Sequence, residues 1–387
     1  MPRSSSPSRK ISEHIQERGP VTVAAFMELA LYDPEAGYYA RAAQRSGRAG
    51  DFFTSVDVGP IFGELVARQV VEMAGLLQSP VDLVEAGAGN GRLSADILRA
   101  IRQSDPAVYE RLQLHLVEIS AAARRAQPAT LGDAAEKLAS SSPELPDHFE
   151  GVLIANELLD AMPVHQVVMR PEGLREVYVD AERLVTGDWR LMTTEGVPST
   201  SELEAYLARV NVVLEPGWCA EINLQAVEWL RSAARSLRRG FIIAIDYGHA
   251  ARELYSASHS SGTLTTFAGH TMSGAEQPAD APAWLEDAGD RDITSHVDFT
   301  SVQAAATSEG LTPLGFLDQT YFLLGLAGAG VSEAGDAHID VSDVKTRLAL
   351  KTLLLPGGLG STHKVLILGK DVGAPALRGC SYRIRVT

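Results

Sequence analysis

The chain has 387 residues, of which 45% are hydrophobic, so it can bury a full core and is longer than most single domains. Its net charge of −15 excludes a general attraction to nucleic acid and to anionic lipid, and favours a neutral or basic partner. The two cysteines, Cys219 and Cys380, have no CxxC spacing, which excludes a disulfide framework and a cysteine zinc site and indicates a reducing compartment, the cytoplasm.

The N-terminal 80 residues are predicted to form a short disordered tail and a helical segment. Residues 1–10 are basic and rich in serine, without an apolar core, as is typical of a tail. In residues 11–80, Gly19 is expected to end a first helix, Thr22 to cap a second, and residues 61–77 to form a long amphipathic helix. No stretch of the sequence is apolar over the length that a membrane span requires.

Residues 81–162 alternate between the patterns of buried strands and of a helix. The strand patterns are VDLVEAG, LQLHLVEIS and FEGVLIANE, and the segment RLSADILRAIRQ between the first two has helical spacing. Strands that alternate with helices pair in parallel through right-handed crossovers. The fold class is therefore predicted to be α/β with a mostly parallel sheet, and these residues form the first half of its core.

The pattern changes after residue 162. Residues 163–223 alternate apolar and polar side chains around turn residues, which predicts an inserted antiparallel meander followed by a helix. Residues 224–387 return to a helix and to two buried strands, FIIAIDYG and HKVLILGK, and form the second half of the core. Within this half, residues 256–292 are rich in Ser, Gly, Ala and Asp, and we expect a long loop over a site.

A glycine-rich loop follows the first strand of the predicted sheet. Gly87, Gly89 and Gly91 stand between this strand and the next helix, where unpaired backbone amides can bind a ligand. The dinucleotide fingerprint requires glycine at its sixth position, where this chain has Arg92, and no GxxxxGK[ST] motif occurs. NAD and nucleoside triphosphates are therefore disfavoured, and the loop taken alone is more typical of a tight turn than of a ligand site.

Two carboxylates narrow the class of ligand. Glu85 ends the first strand, and Glu118 ends the second, where a carboxylate can accept both hydroxyls of a ribose that crosses an α/β sheet. A negative rim suits a cationic nucleoside without phosphate, and S-adenosylmethionine carries a sulfonium, an ammonium and no phosphate. The alternatives are a solvated strand end for Glu118 and a structural partner of nearby amides for Glu85.

Seven segments resemble the MidA family of class I S-adenosylmethionine-dependent methyltransferases. They are GDFFTSVDVGPIFGE, VEAGAGNGRLSADIL, VEIS, ANELLDAMPVHQ, IDYGH, DITSHVDFT and HKVLILGK, in the expected order between residues 11 and 370. The resemblance implies a Rossmann-like fold with an inserted, partly antiparallel region and S-adenosylmethionine as the cofactor. Mitochondrial members of the family methylate an arginine of a respiratory complex I subunit and assist the assembly of that complex.

The resemblance and the loop together give a set of expected cofactor-binding residues. These are Thr54, Glu85, Gly87, Ala88, Gly89, Glu118, Ile119 and Asn156. The chain departs from many members of the family at Ala86, Ala88 and Asn90, but no glycine or carboxylate is lost. The segment LASSSPELPD, where an acidic or aromatic residue could meet the adenine, gives no specific signal, so no adenine contact is predicted.

The candidate catalytic residues follow the third strand of the first half. Asn156 and Glu157 should emerge beside the sulfonium, where in-line methyl transfer needs an aligned nucleophile with a free lone pair. For a guanidinium, Glu157 and Asp160 can hold the planar fork by bidentate hydrogen bonds, and Asn156 can accept from the attacking N–H. Alternatively, Asn156 caps a helix and Asp160 stabilises a turn.

The remaining polar residues are less specific. Asp246, Tyr247 and His249 end another buried strand, and they either line the same cleft or have satisfied structural roles. No HxxxH or HExxH spacing joins the other candidate ligands, so no metal is predicted; these ligands are His270, His296 and Asp298.

The leading hypothesis is a cytoplasmic S-adenosylmethionine-dependent methyltransferase that acts on a protein arginine. We expect a protein substrate and no nucleic-acid partner, while the oligomeric state stays open, a homodimer included. Two alternatives belong to other classes: a non-catalytic assembly factor on a methyltransferase scaffold, and a small-molecule O- or N-methyltransferase.

Overall fold

The computed structural model describes residues 6–40, 54–77, 80–268, 271–273, 282–328, 344–354 and 362–382. The strands are β1 Val21–Thr22, β2 Val81–Ala86, β3 Leu112–Val117, β4 Leu138–Ser142, β5 Phe149–Asn156, β6 His165–Arg170, β7 Gly173–Arg183, β8 Trp189–Gly196, β9 Cys219–Ile222, β10 Leu237–His249, β11 Thr265–Ala268, β12 Thr271–Ser273, β13 Asp292–Thr294, β14 Val297–Asp298, β15 Thr312–Asp318 and β16 His363–Lys370. The helices are α1 Pro7–Arg18, α2 Val23–Met27, α3 Ile61–Leu76, α4 Arg92–Ser104, α5 Pro106–Arg111, α6 Ala121–Leu131, α7 Glu202–Arg209, α8 Leu224–Ser236, α9 Ala251–Leu254, α10 Phe299–Ser308, α11 Gln319–Leu326 and α12 Val344–Leu354. Among the helices of these ranges, none combines the length and the apolar character that crossing a membrane needs.

A mostly parallel sheet forms the centre of the fold. Its strand order is β4-β3-β2-β5-β10-β16-β15, and β14 pairs with the end of β10. The strands from β4 to β10 run parallel, whereas β16 is antiparallel to both of its neighbours. The predicted α/β class is confirmed. Strand β3 lies on one side of β2, and the later strand β5 lies on its other side. The strand order therefore reverses at β2, and at such a reversal a crevice forms at the carboxyl ends of the strands.

The sheet is buried on both faces, as the apolar strand patterns predict. In β2, Val81 and Leu83 belong to one hydrophobic cluster and Val84 and Ala86 to the other, since alternate side chains of a strand point to opposite faces. Helices α3 and α4 cover the first face, and helices α8 and α10 cover the second.

The predicted inserted region is an antiparallel sheet. Its order is β1-β7-β6-β9, with β8 paired to β7. Helices α1 and α2 pack on this sheet rather than on the central one, because Ile15 and Phe26 share a hydrophobic cluster with Val168 and Val179. The cavity described below therefore has a wall that belongs to a second core.

Helix α1 begins earlier than the predicted tail of residues 1–10 allows. The side chain of Ser6 accepts a hydrogen bond from the Arg9 amide, and Pro7 occupies the first turn of the helix, where proline costs no hydrogen bond. Ile11 and Ile15 are buried and lie on the inner face of the helix. The serine and proline that suggest a tail are the start signals of a helix. The predicted ends at Gly19 and Thr22 agree with the observed caps.

The segment of residues 256–292 is only in part the long loop that its composition predicts. Strands β11, β12 and β13 pair in an antiparallel sheet, and the Thr266 hydroxyl donates to the Asp292 carbonyl at 2.7 Å. The many small polar residues of this segment obscure the alternating pattern of its short strands. Residues 269–270 and 274–281, including the candidate ligand His270, lie outside the described residues.

Asn223 joins the inserted region to the turn that follows β5. Its Nδ2 donates to the carbonyls of Leu159 (3.0 Å) and Met162 (3.3 Å), and its Oδ1 accepts from the Ala226 amide (2.8 Å) at the start of α8. One buried side chain thus satisfies three backbone groups from two parts of the fold.

Replacement of Asn223 should weaken the fold measurably. Asn223→Ala removes a helix cap worth about 1 kcal/mol and leaves two buried carbonyls unpaired, so we expect a loss of roughly 2–4 kcal/mol in the free energy of unfolding. Asn223→Ser retains a capping oxygen and should recover about 1 kcal/mol of it. Urea denaturation of the three proteins measures both differences, and equal stabilities for all three would contradict the assignment.

Candidate functional site

A cavity of about 360 Å³ opens at the carboxyl ends of β2, β3 and β5. Its size is within the range of small-molecule sites. The lining comes from the glycine loop, the strand ends, Thr54, Val56, the segment that follows α2, and α8. Every residue predicted to bind the cofactor borders the cavity: Thr54, Glu85, Gly87, Ala88, Gly89, Glu118, Ile119 and Asn156.

The glycine loop differs from the expectation in one respect, because it does not present four of its amides to a ligand. Gly87 and Ala88 donate to the Val117 carbonyl (2.9 and 3.1 Å), Gly91 donates to the Ala88 carbonyl (2.8 Å), and Gly89 donates to Glu118 Oε2 (2.8 Å). The glycines have φ values of 71°, 51° and 85°, which residues with a Cβ rarely adopt. A loop that uses its donors internally does not favour a phosphate.

Glu118 is a fixed carboxylate rather than a solvated strand end. Its Oε2 binds the Gly89 amide and its Oε1 binds the Ser120 amide at 2.7 Å, so it connects the glycine loop to the start of α6. Burial raises the pKa of Glu118, and the two amides partly offset this effect. Each carboxylate oxygen keeps a second lone pair, so the group can still accept from the hydroxyls of a ligand.

Glu85 is the structural partner of a nearby amide that the sequence allowed. Its Oε2 accepts from the amide of Ser94 at 3.1 Å and from the hydroxyl of the same residue, within the first turn of α4. It also borders the cavity. Burial raises the pKa of Glu85 to about 7, although the bonds from Ser94 act in the opposite direction.

Asn156 and Glu157 stand side by side at the end of β5. Glu157 has a φ of 51°, a strained value for a residue with a side chain, and its amide donates to the Ile245 carbonyl at 2.8 Å. Its Oε1 accepts from the Ser55 amide (3.1 Å) and from Asn156 Nδ2 (3.4 Å). Asn156 Oδ1 is buried without a hydrogen-bond partner among the described residues. Since β5 is followed by a turn and β6, Asn156 does not cap a helix.

Asp160 does not fit the predicted clamp, because it lies behind the cavity wall. It is 6% exposed and is absent from the lining. Burial raises its pKa well above the usual range, and the nearby carboxylates of Asp246, Asp292 and Glu157 raise it further. These surroundings disfavour the charged form of the carboxyl group, and its place outside the lining keeps it from pairing with a cation in the cavity.

Asp246 stabilises the turn after β5. Its Oδ2 accepts from the amides of Leu158 (3.0 Å) and Leu159 (2.7 Å). Burial raises the pKa of Asp246 to about 7, with the Leu159 amide and His363 acting in the opposite direction. The sequence allowed Asp246 either to line the cleft or to have a structural role, and the structure shows the structural role. Neither Asp246 nor Tyr247 borders the cavity.

Two tyrosines border the cavity without having been predicted. The rings of Tyr32 and Tyr39 stack with centroids 5.5 Å apart, and their hydroxyls donate to the Ala161 carbonyl (3.0 Å) and to Asp292 Oδ1 (2.8 Å). The helical pattern of the N-terminal segment concealed them. The turn at Asp33, whose Oδ1 accepts from two following amides, is the local signal that breaks this pattern.

Arg92, whose position argues against NAD, anchors the turn that carries Thr54. Its guanidinium binds Asp57 Oδ1 (2.8 Å) and the Val56 carbonyl (2.5 Å). Asp57 in turn accepts from the amide and the hydroxyl of Thr54 (3.0 and 2.9 Å). Arg92, the residue that departs from the dinucleotide pattern, thus holds the turn that forms one wall of the cavity.

The comparison with protein families agrees with this geometry. A family model described as "Putative S-adenosyl-L-methionine-dependent methyltransferase" matches residues 65–317, more than half of the chain. The chain belongs to this family. The resemblance to the MidA methyltransferases is therefore confirmed, and the protein is an S-adenosylmethionine-dependent methyltransferase.

Relatives of this methyltransferase extend over nearly its whole length. "Protein arginine methyltransferase NDUFAF7, mitochondrial" of Mus musculus is 30% identical over 388 residues, covering 94% of this chain and 80% of the mouse protein. Its Homo sapiens counterpart is 29% identical over 341 residues, covering 81% and 72%. The crystal structure of a COG1565 superfamily member from Burkholderia thailandensis, bound to S-adenosyl-homocysteine, has a TM-score of 0.81 at 27% identity and covers 97% of this chain and 95% of that one.

The cavity fits S-adenosylmethionine, the cofactor of the family. The carboxylate of Glu118 is an acceptor for the hydroxyls of a ligand, and the paired amides of the loop leave little for an anion. The class I methyltransferase fold, with an inserted antiparallel sheet, is likewise confirmed.

Truncation of Glu118 should weaken cofactor binding. Glu118→Ala removes the anchor of the Gly89 amide and the acceptor for ligand hydroxyls, so we expect a loss of roughly 1–3 kcal/mol, or about 5- to 150-fold in Kd. Glu118→Gln keeps the shape and one acceptor oxygen and should lose less. Calorimetric titration with S-adenosylhomocysteine measures both, and an unchanged affinity in Glu118→Ala would exclude this role.

Glu85 should make stability depend on pH. Because its folded pKa is raised to about 7, its contribution is complete below the ordinary carboxyl pKa and is lost as the pH rises through about 7, by at most roughly 3 kcal/mol. Glu85→Gln cannot ionise, so relative to the wild type it should be more stable at pH 8 than at pH 5. Urea denaturation at both pH values tests this, with the exposed Glu144→Gln as the control; parallel changes in both variants would contradict it.

Proposed function

We propose that this methyltransferase transfers methyl groups to the guanidinium of a protein arginine. The observation that carries the proposal is the pair of acceptors at the end of β5. Asn156 Oδ1 has no partner among the described residues, and the hydrogen bonds of Glu157 there engage Oε1, which leaves Oε2 for a ligand. A guanidinium has five N–H donors in a planar fork and no acceptor, so a wall of acceptors matches it.

The orientation of the Asn156 amide supports this match. Its Nδ2 donates to Glu157 Oε1 at 3.4 Å, and the opposite orientation would place two acceptor oxygens together. The acceptor Oδ1 is thus directed away from Glu157. A substrate nitrogen held by Oδ1 and by the Glu157 carboxylate has its position fixed by two groups whose own positions are set by the backbone of β5, β10 and residue 55.

The two tyrosines complete the proposed substrate side. The stacked faces of Tyr32 and Tyr39 border the same cavity, and a planar guanidinium packs well on aromatic rings. The net charge of −15 favours the approach of a basic protein segment.

Bound S-adenosylmethionine supplies an electrophilic methyl group on its sulfonium. The arginine nitrogen forms the new N–C bond as the C–S bond breaks, and the nitrogen then releases one proton. Glu157 holds the guanidinium in line and accepts that proton through its open oxygen, from which it passes to solvent. Asn156 keeps the reacting nitrogen in place by accepting one of its N–H groups.

The named relatives support the same substrate class. The mouse and human relatives are called protein arginine methyltransferases. A subunit of respiratory complex I, or a bacterial counterpart, is the first protein substrate to test, following the resemblance to the MidA family.

Glu157→Gln should separate substrate binding from cofactor binding. Loss of a charged hydrogen bond to the guanidinium costs about 1.5–3 kcal/mol, so kcat/KM for an arginine-containing protein should fall roughly 10- to 150-fold. The Kd for S-adenosylhomocysteine should stay within about twofold. Glu150→Gln, at the opposite end of β5, is the matched control and should behave as the wild type. Transfer of labelled methyl, followed by amino-acid analysis for methylarginine, gives the rate and the product.

Cells with and without the gene give the second test. Methylarginine sites that disappear with the gene and stay absent with Glu157→Gln support the proposal. Restoration of the cellular function by Glu157→Gln without methylation would favour the scaffold alternative. Methylated small molecules, with no change in protein arginine, would favour the small-molecule alternative.

A further inference from the structure

Three histidines meet beyond the methyltransferase cavity, at the end of β10. His249 ends this strand, His259 ends the 3-10 turn Ala257–His259, and His296 precedes β14. One ring nitrogen of each lies within 4.8 Å of those of the other two. The ring centroids are 4.9, 5.3 and 5.9 Å apart. None of the three borders the cavity, so this cluster is separate from the cofactor site.

A buried nitrogen in this cluster lacks a hydrogen bond. His296 Nδ1 is buried and has no partner among the residues that the structure describes. His249 Nδ1 lies 3.1 Å from Glu253 Oε1, but without the alignment of a hydrogen bond. A buried polar atom without a partner costs about 1–3 kcal/mol, and a bound ion is one of the ways in which proteins satisfy such atoms.

We propose that His249, His259 and His296 bind one divalent transition-metal ion, with Zn²⁺ as the best fit. Imidazole nitrogens suit zinc, and three protein ligands with one further position are a common zinc arrangement. Zinc–nitrogen bonds of 2.0–2.1 Å place the ligand nitrogens about 3.4 Å apart, so small rotations of the side chains bring the three rings to this spacing. The exposed carboxylate of Glu253 is close enough to take the fourth position.

The ion would join the two ends of the segment between β10 and β14 to each other and to the central sheet. His259 lies near the start of this segment and His296 at its end, while His249 belongs to the central sheet. The same strand β10 carries Asp246, whose carboxylate holds the turn after β5. A bound ion therefore stabilises the fold at the sheet edge beside the substrate side, and the protein with metal should unfold at a higher temperature than the stripped protein.

The test uses the full-length chain treated with a chelator and then titrated with ZnCl₂ in a calorimeter. We expect one ion per chain, a rise in Tm on binding, and, with CoCl₂, the visible absorption of tetrahedral Co²⁺. His259→Ala and His296→Gln should each weaken binding by more than about 100-fold, because changes behind a metal ligand already cost 10- to 100-fold. The exposed His148→Ala removes a histidine elsewhere and should bind as the wild type.

Two results would overturn the proposal. One is a folded wild-type chain that binds neither ion, and the other is binding that His259→Ala leaves unchanged. His259 is partly exposed and its replacement leaves the core intact, so His259→Ala decides the question even if His296→Gln does not fold. Neither result bears on arginine methylation, which is measured separately.

Discussion

The buried carboxylate of Asp246 holds the turn on which the whole site depends. It accepts the amides of Leu158 and Leu159, and the neighbouring Ile245 carbonyl receives the amide of Glu157. The strand β10 thereby imposes a positive φ on Glu157 and directs its carboxylate to the cavity. The strained conformation of Glu157 is held from two sides, because the Ile245 carbonyl binds its amide and the Ser55 amide binds its carboxylate.

A second constraint selects the charge of the ligand. The glycine loop uses four amides internally, and one of them binds Glu118. A loop of the same outline with free amides would attract phosphate, so the choice between a nucleotide and a sulfonium nucleoside depends on hydrogen bonds inside the protein. Arg92 contributes by pairing with Asp57 instead of leaving room for a pyrophosphate.

The sequence was sufficient for the sheet and for the strand ends and glycine loop that line the cavity. The strands follow from the local periodicity of apolar residues. The positions of Glu85, Gly87 and Glu118 follow from the rule that parallel strands end at the same edge of a sheet. The substrate side was less predictable. Asp160 is buried beside Asp246 and Asp292, which come from distant parts of the chain, and Tyr32 packs against the cluster of the inserted sheet. The histidines at the end of β10 meet only after folding, so no sequence spacing reveals them.

The separate core beneath the N-terminal segment has a consequence for how such an enzyme can diversify. Tyr32 is packed at the edge of the cluster that includes Phe26 and Val179, whereas Glu118 and Gly89 belong to the central sheet and its loop. Side chains on one core can therefore change volume without disturbing the packing of the other. The wall that contains Tyr32 can therefore change to accept a different methyl acceptor, while the residues of the central sheet and its glycine loop stay the same.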